Sequence, residues 1–240
     1  MELRRRWRIA PTPYSLLPIP HSLLIFDNDG VLVDTELQAN TVLAALLTEC
    51  GVPTSLEDSL EVYLGTSLRH VRETCLARGS GALPADFEAR YHDRLFAHLG
   101  TEVQPIPGIH DLLSALSLPT CVASSGAHHR IEFTLGGAGL LDHFRGRIFS
   151  ADDVARGKPA PDLFLHAAHS MGVEPASCVV VEDSPWGIQA ANAAGMTSIG
   201  FAFRTPAHRL NAATGGVIPA MPDLLQWLSS RGGGAAVAIS

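Results

Sequence analysis

An α/β fold built on a parallel sheet, with a small helical domain inserted after the first strand, is predicted by three observations on this 240-residue chain. Short β-rich runs alternate with helical patterns, which is how parallel βαβ units read. The apolar runs end in polar clusters, as strands do when their carboxyl ends open on a ligand crevice. Residues 36–102 have a different texture, helical in pattern with no comparable β-branched run.

Residues 1–20 open with a basic cluster, Arg4, Arg5, Arg6 and Arg8, but Pro11, Pro13, Pro18 and Pro20 break any signal-peptide core. They are expected as a poorly ordered tail, or as the product of a start assigned too early. Leu23-Leu24-Ile25-Phe26 is a continuous apolar run, the pattern of a strand covered on both faces, and it ends in Asp27-Asn28-Asp29-Gly30. Helices are expected over 37–50, 56–64, 67–77 and 84–99. The chain re-enters the sheet at Pro105-Ile106-Pro107-Gly108, so 36–102 would stand over the strand ends as a lid. Residues 21–35 with 103–228 then make the α/β core. A second strand runs Thr120-Cys121-Val122-Ala123 into Ser124-Ser125-Gly126, and another runs Cys178-Val179-Val180-Val181 into Glu182-Asp183-Ser184. Further strands are expected at 147–149 and 197–201, and residues 229–240 as a flexible tail.

Composition narrows the function classes. Apolar residues are 46% and charged residues 17%, which excludes a disordered or coiled-coil chain, and a net charge of -7 disfavours a broad grip on nucleic acid. No uncharged apolar stretch reaches the roughly 18 to 20 residues of a membrane span. Cys50, Cys75, Cys121 and Cys178 are far apart and form no CxxC, which fits a reducing cytoplasm. The expectation is a cytoplasmic monomer with a small-molecule partner, neither nucleic acid nor membrane.

The strand ends carry the chemistry. Asp27 and Asp29 are too close to ionise together without a cation or a shared proton, so they imply a divalent metal, an acid/base role, or a simple Asx turn. Asp183 supplies a further carboxylate of the kind Mg²⁺ takes, unless Glu182 and Asp183 are merely solvated strand ends. Ser124 and Ser125 offer a hydroxyl and amides for an anion-binding turn. Lys158 is the single lysine beside 16 arginines. That is compositional accident, or a place where a compact ammonium fits and a planar guanidinium does not. Together these groups describe a site for a phosphoryl group.

Four segments then carry a resemblance. They are 26–36 (FDNDGVLVDTE), 122–125 (VASS), 157–162 (GKPAPD) and 181–184 (VEDS) followed by 187–191 (GIQAA). In this order they resemble the haloacid dehalogenase superfamily, in its subgroup of beta-phosphoglucomutase-like phosphatases with a helical cap. The likeness spans roughly residues 22–228 and implies a Rossmann-like core of that superfamily's fold. It implies that Asp27 is the nucleophile of an aspartyl-phosphate and that Asp29 is the acid and base. Mg²⁺ would be held by Asp27, the Asp29 carbonyl and Asp183, with Glu182 as an outer ligand, while Ser124, Ser125 and Lys158 grip the phosphoryl oxygens. In the cap, Gly65-Thr66-Ser67 with Arg69 resembles the specificity loop, and Glu36 at the hinge is a further substrate residue. Arg69 reads equally as a solvated helix residue.

The implied activity is Mg²⁺-dependent hydrolysis of a small sugar or polyol phosphate. Asp29 departs from true dehalogenases, the cap lacks the lysine of phosphonoacetaldehyde hydrolases, and Ala39 stands where mutases commonly have histidine. A hexose-phosphate mutase and a non-catalytic phosphate-binding module are the alternatives. Trp186 and Met196 are expected as packing residues. His128, His129 and Arg130 follow the second motif and are placed to line the site's mouth, although adjacent histidines at a helix start usually face solvent.

Overall fold

A computed structural model describes residues 21–64, 66, 68–79, 82–99 and 103–230. The core is a parallel sheet of six strands in the order β3-β2-β1-β4-β5-β6. The strands are β1 (Leu23–Phe26), β2 (Thr120–Ser124), β3 (Ile148–Ser150), β4 (Cys178–Glu182), β5 (Thr197–Phe201) and β6 (Val217–Ile218). β6 is only two residues long, too short for an apolar pattern to announce it.

The apolar run of β1 has two faces to satisfy. Leu24 and Phe26 join one hydrophobic cluster, whereas Leu23 and Ile25 join a second on the other side of the sheet. The second cluster is closed by α8 (Asp162–Ser170) and α9 (Pro185–Ala193), whose small buried residues Ala167, Ala168, Ala190 and Ala191 let the helices lie close. The first is covered by α5 (Ile109–Ala115), α6 (His128–Gly137), α7 (Leu141–Phe144) and α10 (Met221–Ser230). At 25 cal/mol per Å² of apolar surface, burial of this kind is the main stabilising term. Met196 packs in the second cluster, as its sequence context predicts. Ser229 and Ser230, expected in the C-terminal tail, are the last residues of α10, because the helix continues past its last buried residue, Leu228. Residues 1–20, 231–240 and Gly65 and Ser67 of the expected specificity loop lie outside the described residues.

Between β1 and α5 the chain forms α1 (Glu36–Glu49), α2 (Leu56–Tyr63), α3 (Leu68–Ala77) and α4 (Phe87–Leu99). α2 begins with a reciprocal cap, Ser55 accepting from the Asp58 amide while the Asp58 carboxylate accepts from the Ser55 amide. α1 is the spine of the insert, since Val42, Leu43, Leu46 and Leu47 are buried on the same face. Two connections tie the insert to the core. Asp34 N–H donates to Gln104 O and Ile106 N–H to Leu32 O, so the outgoing and returning chains lie side by side. Asp34 also takes a two-pronged ion pair from Arg204, with N···O distances of 3.1 and 2.6 Å. Farther out, Phe96 of α4 packs on Phe133 of α6 with ring centroids 4.5 Å apart.

Candidate active site

The sheet order creates the site. The chain runs from β1 outward to β2 and β3 on one side, then returns to the other side of β1 with β4, β5 and β6. The ends of β1, β2 and β4 therefore flank a topological switch point, where open parallel sheets bind ligands. Asp27 follows β1, Ser124 ends β2, and Glu182 and Asp183 end and follow β4.

The loop after β1 is wound tightly on one carbonyl, Asn28 O, which accepts from the amides of Val31, Leu32 and Val33. Gly30 has φ +77°, and a Cβ there would overlap the Asp183 carboxylate. A Cβ on Gly187 would overlap the Glu182 carboxylate in the same way. The two glycines let the acids of β4 pack against neighbouring backbone.

Lys158 reaches this point from the loop before α8, a loop clamped by the Arg156–Asp162 ion pair. Its ammonium donates to Asp27 Oδ1 at 2.8 Å and Glu182 Oε1 at 2.7 Å, and lies 5.0 Å over the Phe164 ring. Only 5% of its side chain is exposed. Glu182 Oε2 accepts from the amide and hydroxyl of Ser184, the N-cap of α9, so both of its oxygens are engaged.

Asp27, Glu182 and Asp183 bring carboxylate oxygens within 4.8 Å of one another. Burial pushes the Asp27 carboxyl up to about 7, against the pull of Lys158 and with help from the charges of Glu182 and Asp29. Burial, then the charges of Glu36, Glu182 and Asp27, pushes Asp183 well above the ordinary carboxylate range. Burial opposes the charge on Lys158, yet the two carboxylates it touches hold it above the ordinary lysine value. A cluster of buried acids sharing one ammonium is short of positive charge. Asp183 Oδ2 is, moreover, buried with no hydrogen-bond partner among the described residues. The donor set and the orphaned oxygen both fit a hard divalent cation with oxygen ligands.

On the β2 side, Ser124 is buried and its Oγ accepts from the Gly126 amide at 3.2 Å, while Ser150 Oγ donates to Gly126 O at 2.6 Å. The turn 124–126 is thus held from both sides, and no side chain caps α6 at Ala127. A cavity of about 410 Å³ opens over these groups. It is lined by Asp27, Asp29, Ser124, Ser125, Lys158 and Asp183 from the core, and by Glu36 and Arg69 from the insert. The structure brings all of these sequence-predicted residues to one place. Glu36 accepts from Asn40 Nδ2 at 3.3 Å. Arg69 reaches the rim but pairs with Glu73 in solvent, with 87% of its side chain exposed. Trp186, expected as a packing residue, also lines the cavity, because the start of α9 faces the strand ends.

Asp29 is held differently from Asp27. Its Oδ1 accepts from Thr35 Oγ1 at 2.6 Å and from Arg130 Nη2 at 2.9 Å. Arg130 therefore stands at the cavity. His129 is exposed, and His128 turns away to Asp153 at 2.8 Å. Tyr91 and His92 of α4 line the cavity too, and nothing in their local sequence marks them.

Fold and site define an α/β enzyme of the Rossmann-like class, with its centre at the carboxyl ends of the parallel strands. The chain belongs to the haloacid dehalogenase-like hydrolase family, which matches residues 21–195. It is 31% identical over 174 residues to a 6-phosphogluconate phosphatase of Escherichia coli (strain K12), a match covering 72% of this chain and 79% of that one. Among solved structures it is similar to a conserved haloacid dehalogenase-like protein from Agrobacterium tumefaciens str. C58, with TM-score 0.79 and 40% identity over 87% of this chain and 98% of that chain. A further neighbour is a hydrolase of this family from Deinococcus radiodurans R1, solved with bound phosphate and sodium. Its TM-score is 0.71 and its identity 29%, covering 89% of this chain and 97% of that chain. No helix among the described residues is long and apolar enough to cross a membrane.

Proposed function

We propose that the protein is a Mg²⁺-dependent phosphatase that hydrolyses a small phosphorylated metabolite, a sugar or polyol phosphate, through an aspartyl-phosphate on Asp27. The observation that carries this reading is the Asp27 carboxylate itself. It is buried at the switch point, locked by the only lysine of the chain, and set beside an acid whose Oδ2 has no partner among the described residues. The similarity to a phosphatase acting on 6-phosphogluconate and to a hydrolase holding phosphate supports it.

In this mechanism Lys158 fixes one Asp27 oxygen by hydrogen bond, which sets the rotation of the carboxylate. A carboxylate oxygen attacks phosphorus as the ester P–O bond breaks, and Asp29 delivers a proton to the leaving oxygen. Water then attacks the phosphorus of the acyl phosphate, Asp29 takes a proton from it, and the Asp27 carboxylate and inorganic phosphate are released. Ser124, Ser125 and Lys158 orient the phosphoryl oxygens. Asp27, Asp183 and the Asp29 carbonyl would hold Mg²⁺, with Glu182 behind them, and the ion would neutralise charge between carboxylate and phosphoryl group. The helical insert, residues 36–102, acts as a cap that excludes bulk water while it lies over the cavity.

Ala39 lines the cavity and offers no hydrogen bond there, which favours transfer of the phosphoryl group to water over its return to the substrate. The test is phosphate release from p-nitrophenyl phosphate and a panel of sugar and polyol phosphates. Release is expected with Mg²⁺ and is expected to stop with EDTA and resume on Mg²⁺ addition. Undiminished release in EDTA would overturn the metal dependence. Conversion of β-glucose 1-phosphate to glucose 6-phosphate without phosphate release would replace the phosphatase by the mutase.

A further inference from the structure

Arg130 enters the cavity from the first turn of α6, with 15% of its side chain exposed. A guanidinium has five N–H donors in a planar fork. Among the described residues its side chain makes one hydrogen bond, Nη2 to Asp29 Oδ1, and Nε is buried with no partner at all. A cation removed from water to this degree is expected to be fully paired, and this one is not.

Its neighbours do not supply what is missing. Asp29 Oδ1 already accepts from Thr35 at 2.6 Å, so Asp29 keeps a partner if Arg130 turns away. Glu36, the other acid in its field, is engaged by Asn40. Tyr91 and His92 face the cavity without negative charge. Burial holds the phenol protonated, and burial together with the Arg130 charge holds the imidazole below its ordinary value. Arg130 thus lines, with Nη1 unbonded among the described residues, a cavity whose other end is proposed to take a phosphoryl group. The group that satisfies a planar fork is a planar anion bound through two oxygens. Its position is constrained as well. Asp29 must touch the ester oxygen to protonate it, and Arg130 is one hydrogen bond from Asp29, so an anion on Arg130 lies close to the ester oxygen.

We propose that Arg130 is a second anion-binding group of this site and that the preferred substrate is a phosphate ester with a carboxylate on the carbon bearing the ester oxygen. The proposal rests on the phosphatase reading above. Within it, the substrate moves from neutral sugar and polyol phosphates to the phosphorylated hydroxy acids related to them. A hydroxyl at the same place still accepts from the guanidinium but carries no charge, so the ion-pair attraction is lost.

Matched esters test this. Phosphoglycolate and hydroxyethyl phosphate differ only by carboxylate for hydroxymethyl, as do 2-phosphoglycerate and glycerol 2-phosphate. The readout is the ratio of kcat/KM, acid over neutral, measured with the full chain and Mg²⁺. Taken within one variant, the ratio cancels any general loss from disturbing Asp29. Wild type is expected to favour the acid by about 10- to 100-fold in at least one pair, the size of a charged hydrogen-bonded contact. Arg130→Gln and Arg130→Met should bring that ratio close to one, chiefly through KM of the acid, and Arg130→Lys should leave it in between.

A wild-type ratio near one in both pairs would overturn the proposal. So would a preference that survives Arg130→Gln, or a preference for bisphosphates over both acids. Should the neutral replacements fail to fold, a ratio in Arg130→Lys equal to wild type would count against the fork in the same way. Failure of wild type to hydrolyse p-nitrophenyl phosphate with Mg²⁺ would instead sink the phosphatase reading. Hydrolysis of that ester with a ratio of one sinks only the role of Arg130.

Discussion

The strand ends of the core and the helical insert face the same cavity and are built on opposite terms. On the core side, Asp27, Glu182 and Asp183 are buried, Lys158 is held by two carboxylates, and glycines at 30 and 187 leave no slack around the acids. On the insert side, Arg69 is paired in solvent with Glu73, and the α1–α4 contact is trimmed by the surface pairs of Glu49 with Arg90 and Arg94. Groups that must meet a reacting atom to within a fraction of an ångström sit on parallel strands whose register is set by the ladder. The helices of the insert are tied to the core by the paired connections at 31–35 and 103–106, and the core adds Arg130 of α6 to the cavity wall beside Asp29. The difference teaches that the packed core side should tolerate substitution far less than the exposed insert side, and mutations should show it.

The largest effect is expected at Asp27. Asp27→Asn should lower turnover of any phosphate ester by roughly 10⁴-fold or more, because an amide is no nucleophile. The variant should keep a cooperative thermal transition, since it relieves a crowd of carboxylates. Steady-state phosphate release and a melting curve check both halves, and a rate near wild type would break the assignment of the nucleophile.

Lys158→Arg comes next, at about 10²- to 10³-fold in kcat/KM, a loss comparable to removing one charge-stabilising donor. The reason is geometric. An ammonium fits between Asp27, Glu182 and the Phe164 ring, and a planar fork does not. An arginine variant with wild-type kcat/KM would show that the core side is as tolerant as the insert.

The smallest effect belongs to Arg69→Ala. With its guanidinium in solvent, the change should leave hydrolysis of p-nitrophenyl phosphate within about threefold of wild type, as exposed ion pairs contribute little. A loss as large as that of Lys158→Arg would erase the contrast between the two sides.

Legibility in the sequence followed the same division. The acids after β1 and β4, the serines after β2 and the single lysine stand out because each interrupts an apolar strand or a uniform arginine background. Each therefore signals within a window of a few residues. The helices of the insert are legible as periodic patterns, but which of their side chains turn to the cavity is not. Glu36 and Arg69 were accessible by resemblance, whereas Tyr91 falls in the buried stripe of Phe87, Leu95 and Leu99 and so reads as core, and His92 stands beside that stripe with nothing to mark it. Trp186 reads as core from its size and proves to line the site.

The sequence by itself determined the parallel α/β core, the helical insert and the set of residues gathered at the strand ends. These follow from local signals: where apolar runs stop, where helices start, and which polar residues stand at the junctions. Only the tertiary structure decided that Arg130 meets Asp29, a residue 101 positions away. α6 is turned by the burial of Ile131, Thr134 and Leu135 in the core. With that face of α6 packed by side chains from distant segments, the preceding arginine stands at the cavity beside Asp29.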